Sequence, residues 1–372
     1  MFSNIPFKRV NWVNSSFLMG TTLVALIGIP IYLYNYGWSY MDGLQWGMFA
    51  FYMIATGLSI TMGYHRLFSH LSFKAKWPVK LFTLIFGACA FENTAIDWSS
   101  DHRKHHKHVD HDDDPYDISK GFMWAHIGWI MFKLNPEPPI DNVKDLQSDR
   151  LCQWQYKWYV PLSVGVGLIL PALIGYLAAG GPGAWAGFLF AGVLRVILVQ
   201  HSTFFINSLC HTLGKQPYSS KCSARDSALM AVLTYGEGYH NYHHEFQHDY
   251  RNGIKPWQWD PTKWTIWTLS KIGLTSNLRR VDDKKIIRAE MTQAQMQAAE
   301  RLRALESQPG VCETSLAKLK ELNKQLSDNL AQLEQAMKDR IEISKQKLND
   351  LERETRELLA QVRSFKAGPI KH

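Results

Sequence analysis

Eight of the chain's 15 histidines fall in three short boxes: His65-Arg-Leu-Phe-Ser-His70, His102-Arg-Lys-His105-His106 and His240-Asn-Tyr-His243-His244. Neutral imidazole is a ready ligand for iron, copper or zinc. On a helix, positions i, i+3 and i+4 share a face, so each HxxHH box can aim three rings at one point. His65 and His70 are five apart and would diverge by roughly 140° on a straight α-helix. A break between them, or close approach by other segments, is therefore expected. Eight imidazoles exceed the four ligands of one tetrahedral zinc, so two metal ions fit better.

The elements that must carry these boxes are apolar. Between Trp158 and Leu194 there is no charged residue, and Gly180-Gly-Pro-Gly183 punctuates the stretch near its middle. Each half is long enough to cross a hydrocarbon layer about 30 Å thick. Phe17 to Tyr34 and Trp46 to Tyr64 form a second pair, joined by a loop holding Asp42. The spacing predicts four membrane helices over about 15–36, 44–64, 158–180 and 184–206. Phe17 onward is not read as a cleaved leader, since the span is long, lacks a small-residue cleavage site and precedes further spans. Buried helices of a soluble core are the alternative, and the arrangement as two uncharged hairpins argues against it. Lys8 and Arg9 precede the first span, both hairpin loops lack Lys and Arg, and the remaining segments are rich in them. The positive-inside bias then puts both termini and all three boxes on the cytoplasmic side of an inner membrane. Cys89, Cys152, Cys210, Cys222 and Cys312 are scattered without CxxC spacing, so neither a disulfide framework nor a thiolate zinc site is indicated. The expected fold is an all-α membrane protein with a cytoplasmic helical cap holding a two-metal site. Arg195 interrupts the fourth span; a charge at that depth faces the bundle interior or a polar partner. Asp101 and Glu237, each beside a box, are candidates to hold imidazole N–H groups from one layer out. His108 and His111 sit in a charged run read as solvated loop. His126, His201 and His248 read as packing or hydrogen-bonding residues, and His372 as a terminal residue without a role.

The motifs resemble those of the integral-membrane fatty acid desaturases, most closely the acyl-CoA delta-9 (stearoyl-CoA) type in a bacterial-like form. The resembling residues are Gly63-Tyr-His-Arg-Leu-Phe-Ser-His70, Trp98-Ser-Ser-Asp-His-Arg-Lys-His-His106, Asp114-Pro115, Gly121-Phe122, His126-Ile-Gly-Trp129, Asn207-Ser-Leu-Cys-His211 and Gly236-Glu-Gly-Tyr-His-Asn-Tyr-His-His244. Order and spacing agree from about residue 15 to 275. The resemblance implies a ninth imidazole ligand, His211, and a water-mediated contact from Asn207. The ligand set is then His65, His70, His102, His105, His106, His211, His240, His243 and His244, around two irons that the sequence does not partition. Removing hydrogen from an unactivated methylene needs a strong oxidant made by reducing dioxygen, and zinc has no redox chemistry.

By resemblance the reaction places one cis double bond in a saturated acyl-CoA, consuming dioxygen and two electrons. Trp98 and Thr203 match the bend of the family's acyl tunnel, and Asn93, Trp129 and Lys133 match head-group positions. Met53 and Gly57 share a helix face at roughly 18 and 12 Å from the metal end and match the positions that close the tunnel. Chains of about 16 to 18 carbons are expected. Three departures stand out: Glu92 replaces a glutamine, Phe204 a tryptophan and Ser100 an arginine. An acyl-lipid or acyl-carrier substrate therefore stays open. A membrane hydroxylase shares the boxes and the oxidant, and a non-catalytic metal-binding membrane scaffold is the rival from another class.

After residue 282 the composition changes to Glu, Lys, Gln, Leu and Ala. Leu319, Leu322, Leu326, Leu330, Leu333, Met337 and Ile341, then Leu348, Leu351, Thr355, Leu358, Val362 and Phe365, recur at three- and four-residue steps. The pattern predicts a coiled-coil-like tail over 283–372, broken near Gln308-Pro-Gly310 and able to join copies of the chain; a single solvated helix is the alternative. The tail lacks the His-Pro-Gly-Gly signature of a fused b-type cytochrome. Electrons are thus expected from a separate ferredoxin- or cytochrome-like donor and its reductase. The net charge of +8 suits an anionic membrane surface and an acidic redox partner, and no nucleic acid is expected.

Overall fold

A computed structural model describes residues 7–133, 140–308, 313–339 and 341–364. The chain divides into two compact units, Met1–Gly214 with Ser223–Arg279, and Lys215–Cys222 with Arg280–His372.

The first unit is built on three helices that are long and apolar enough to cross a membrane, among the described residues: α1 (Trp12–Tyr36), α2 (Gly43–Ser69) and a 62-residue stretch labelled α5 below (Arg150–His211). Leu23, Leu26, Ile27 and Ile31 of α1 are more than half exposed, surface that lipid and not water would cover. Asp42 caps α2, its Oδ1 accepting from the amides of Leu44 and Gln45 at 3.0 and 3.1 Å. α3 (Trp77–Ala88) packs on the second half of α2, where a Cβ at Gly63 would collide with Thr83 and one at Gly87 with Tyr64. α4 (Ala95–His108) starts at Thr94, whose hydroxyl accepts from the Asp97 amide at 3.1 Å.

α5 turns back on itself at Ala179 and Gly180. Gly180 has φ +60°, a conformation that favours glycine. The two arms lie backbone to backbone: a Cβ on Gly175 would strike the Gly183 carbonyl, and one on Gly187 the Pro171 carbonyl. The segments expected at 158–180 and 184–206 fall on either side of this turn. Arg195 is fully buried in the second arm and donates to the carbonyls of Ala191, Cys89 and Gly167. It satisfies backbone, as an interior charge at that depth must. Three short helices follow: α6 (Ala228–Leu233), α7 (His240–Glu245) and α8 (Pro261–Lys271).

The second unit is helical: α9 (Asp283–Glu306), α10 (Glu313–Lys338) and α11 (Lys345–Ser364). The heptad run does not form one long coiled coil, because the helix stops after Lys338 and restarts at Lys345. Its seam is buried within this chain. Leu319, Leu322 and Leu326 pack with Leu358, Val362 and the α9 residues Ala294, Ala298 and Leu305. Leu333, Leu348 and Leu351 pack with Ile287 and Met291. Both layers draw on all three helices, so the leucines expected to pair with a second copy are used in cis. Ile341 is left 55% exposed between α10 and α11. Pro309, Gly310, Phe365 and His372 lie outside the described residues.

Candidate metal centre

All nine expected imidazoles converge, and they separate into two groups. His65 of α2 and His70 just past its end, His102 and His106 of α4 and His243 of α7 form one; His105 of α4, His211 at the end of α5, and His240 and His244 of α7 form the other. Within each group the ligand nitrogens all lie within 4.8 Å of one another.

Contrary to the expectation from spacing, neither HxxHH box aims its three rings at one point: i and i+4 (His102 and His106, His240 and His244) go to one group, and the i+3 ring, about 100° round the helix from i+4, goes to the other. α2 does something that a straight α-helix cannot. From Ser59 to Ser69 it widens into π-type turns with i→i+5 hydrogen bonds, the His70 amide donating to the His65 carbonyl at 3.1 Å. The extra residue per turn brings i and i+5 onto one face, and the two ring centroids lie 4.7 Å apart. Of the two outcomes that the spacing allowed, the helix is not broken between them but under-wound, and other segments do approach closely, α4 and α7 bringing His102, His106 and His243 against the pair.

Three histidines have their far nitrogen fixed by a polar partner. His105 Nδ1 lies 2.9 Å from Asp114 Oδ1, which also accepts the Tyr116 amide at 2.9 Å. His65 Nδ1 lies 2.8 Å from Glu237 Oε2. His211 Nδ1 meets the Ser223 hydroxyl at 2.7 Å, and that hydroxyl donates to Asp110 at 2.6 Å. A proton on each of these Nδ1 atoms leaves a lone pair on Nε2 pointing inward. Those Nε2 atoms then face others at 3.0 Å (His65 to His243), 3.3 Å (His105 to His244) and 3.1 Å (His211 to His240). Converging lone pairs repel unless cations lie among them. A divalent ion with nitrogen bonds near 2.1 Å spaces its ligands by roughly 3 to 4 Å, as here. The site therefore fits metal. Burial, reinforced by neighbouring imidazoles, holds His102, His106, His240, His243 and His244 well below the usual histidine value, so they stay neutral as ligands must.

The acids that orient the rings are only partly those expected. Glu237 is one. Burial alone would push its carboxyl up, but Arg66 and His65 outweigh it and hold it below the usual range. Arg66 forks between Glu237 Oε1 at 2.7 Å and Asp260 Oδ1 at 3.0 Å, with all three side chains buried. Asp260 in turn caps α8 through the Lys263 amide at 2.8 Å. Asp101 lines a cavity instead, and burial pushes it up to about 6. The carboxylate serving the second box is Asp114, eight residues beyond the box; its sequence signal, the Asp114-Pro115 pair, gave no hint of its partner. Arg66, Ser223 and Asp110 carried no signal either. His126 pairs with Ser208 and His201, and His248 with the His70 carbonyl, each at 3.0 Å, in the hydrogen-bonding roles expected.

A cavity of about 670 Å³ runs past His65 and His102. Its walls include Phe17, Leu18, Ile60, Val160, Val164 and Leu168, and its polar lining includes Asn93, Trp129, Lys133, Gln200, Thr203 and Asn207. Trp98 also lines it and stacks on His102, with centroids 4.8 Å apart. Glu92 projects into the same space. Its Oε1 accepts from the Thr203 hydroxyl at 2.9 Å and its Oε2 is buried without a partner. Burial pushes this carboxyl up to about 8, against the hydrogen bond from Thr203. Met53 and Gly57 are not among the lining residues. Met53 packs into the core, and the face of Gly57 is covered by the Tyr235 ring.

The sequence profile of the fatty acid desaturase family matches residues 44–263. A probable acyl-CoA desaturase of Schizosaccharomyces pombe is 38% identical over 78% of this chain and 59% of its own length. Acyl-CoA desaturase 1 of Saccharomyces cerevisiae is 38% identical over 77% of this chain and 55% of its own. The sn-1 stearoyl-lipid 9-desaturase of Anabaena variabilis is 34% identical over 74% of this chain and 97% of its own. The chain thus spans somewhat more than half the length of the two yeast proteins.

Proposed function

The chain belongs to the fatty acid desaturase family, and on that footing we propose that it is a membrane-embedded acyl desaturase that uses dioxygen. The observation that carries this reading is a cavity of about 670 Å³ with largely apolar walls passing directly beside one of two all-imidazole clusters. A scaffold without catalysis has no use for an acyl-sized channel at its metal ligands. The reading takes α1, α2 and the two arms of α5 as four membrane spans, with the clusters and both termini on the cytoplasmic side. Among its described residues the helical tail contributes none to the two histidine groups or to this cavity.

Iron is the metal this chemistry requires. His65, His70, His102, His106 and His243 would hold one iron and His105, His211, His240 and His244 the other, with Asn207 as a water-mediated contact, and the pair would supply the oxidising power drawn from dioxygen. The reaction balances as one saturated acyl chain, dioxygen, two electrons and two protons giving one cis double bond and two waters. The electrons come from a separate ferredoxin- or cytochrome-like protein. Trp98 and Thr203 set the acyl chain against the metal face, and the apolar walls exclude water from it. Lys133, Asn93 and Trp129 hold the polar head. Glu237 and Asp114 keep the ring nitrogens of His65 and His105 pointed inward. The relative named as a stearoyl-lipid 9-desaturase supports oxidation at the ninth carbon, those named as acyl-CoA desaturases support a thioester substrate, and we assign a saturated acyl-CoA of about 16 to 18 carbons. The test is expression in a host lacking delta-9 desaturation, with metal analysis of the purified protein. New monounsaturated chains and about two irons per chain support the reading. Zinc with an unchanged lipid profile overturns it, and hydroxylated chains would make the enzyme a hydroxylase.

Glu92 makes the activity sensitive to pH. Its carboxyl is raised from 4.5 to about 8, so it is neutral through most of the physiological range and gains charge only as pH rises through that value. A carboxylate facing an apolar chain disfavours binding. Activity is therefore expected to fall above pH about 8 through a rise in KM, and Glu92→Gln should retain activity there. Superimposable profiles for the two proteins would show that the ionised group does not meet the substrate.

A further inference from the structure

Along α2 the cavity stops short of Gly57 and Met53, the stretch over which the Tyr235 ring lies. Ile60 and Thr61 line it. Gly57 lies one turn back on the Thr61 face, and the Thr61 hydroxyl donates to the Gly57 carbonyl at 3.1 Å. Met53 lies one turn further. A cavity continuing along this face would pass over both. That path is filled by Tyr235, which arrives from the loop before the third histidine box. Its ring lies so close to Gly57 that any Cβ there would collide with it, and its hydroxyl donates to the Met53 carbonyl at 3.0 Å.

The ring is held in place from behind. Tyr235 has φ +56°, which a bulky residue seldom adopts without support from its surroundings. Thr262 supplies that support: its hydroxyl donates to the Tyr235 carbonyl at 2.9 Å and lies 2.7 Å from the hydroxyl of Thr61. One contact chain thus links the cavity wall, the start of α8 and the Tyr235 backbone. A glycine on a membrane helix and an aromatic ring locked opposite it make a fitted pair.

We propose that Tyr235 is the chain-length stop of the acyl cavity, its phenol occupying the space into which a longer tail would extend past Thr61. The proposal rests on the acyl desaturase reading and deepens it. Stop and metal ligands then sit on the same short loop, Tyr235 five residues before His240. The ring is a specificity determinant and takes no part in the chemistry.

The full chain, expressed in a host supplied with saturated acids of graded length, provides the test. Tyr235→Ala frees about one helical turn, roughly 5.4 Å, and should shift products toward chains longer by about four carbons. Tyr235→Leu should give a smaller shift in the same direction and serves where the alanine variant does not fold. Tyr235→Phe keeps the ring and should keep the wild-type distribution. Unsaturated products from every variant with one unchanged length distribution would overturn the stop and leave the desaturase reading intact. No unsaturated product from the wild-type chain would overturn the desaturase reading and the stop with it.

Discussion

Arg66→Ala is expected to lower stability by about 3 to 5 kcal/mol, the cost of leaving buried charge without its partner. Two carboxylates depend on this guanidinium, Glu237 on one side and Asp260 on the other, and none of the three side chains reaches solvent. Thermal unfolding of the detergent-solubilised protein reads the loss directly. A second effect follows through Glu237: without Arg66 its carboxyl moves toward the neutral form and loosens its hold on His65. Metal content should therefore fall in Arg66→Lys as well. Lysine keeps the charge but cannot fork to two acids, so its stability should lie between the other two. An alanine variant that melts with the wild type would show that the triad is not buried as described.

His211→Ala should reduce desaturation by more than about 100-fold in a protein that still folds. Second-layer partners of metal ligands are commonly worth 10 to 100-fold, and His211 is proposed as a ligand itself. It closes the four-histidine group from the end of α5, its ring 4.9 Å from His240 and 5.4 Å from His105. Removing it leaves three imidazoles, so bound iron should fall from about two to about one per chain. Metal analysis separates this outcome from misfolding, which would cost both. Near-normal activity with both irons retained would show that His211 is dispensable and that the group is held by the other three.

The boxes were legible because their spacing is helical, but spacing alone did not show that each HxxHH on α4 and α7 divides its three rings between two groups. The apolar hairpins were legible for the same local reason. What remained hidden depends on relations that spacing does not carry. The π-type widening that unites His65 with His70 is a change of winding, and an α-helical reading can only call it a break. Asp101 looked better placed than Asp114 because it adjoins the box, yet the chain beyond α4 folds back and delivers the more distant acid to His105. Met53 and Gly57 lie on the face expected of them, but Tyr235 comes from nearly 180 residues away to cover it. In the tail, Met337, Ile341 and Leu348 keep helix-compatible steps across the join between α10 and α11. A three-helix unit and a long coiled coil bury the same seam, and period alone does not distinguish a partner in cis from one in trans.

The under-wound stretch from Ser59 to Ser69 also fixes a phase relation along α2. Upstream of it, one face of the helix turns toward lipid and the opposite face toward α3 and α5; downstream, the imidazoles must meet α4 and α7. An α-helix advances about 100° per residue, so deleting one residue here would swing the upstream faces by that angle relative to the metal ligands. Surface loops absorb such changes in length easily, whereas this segment behaves as a gear whose tooth count is set. Substitutions along it can be tolerated one at a time, but a gain or loss of a single residue has to be matched by a compensating change before His65.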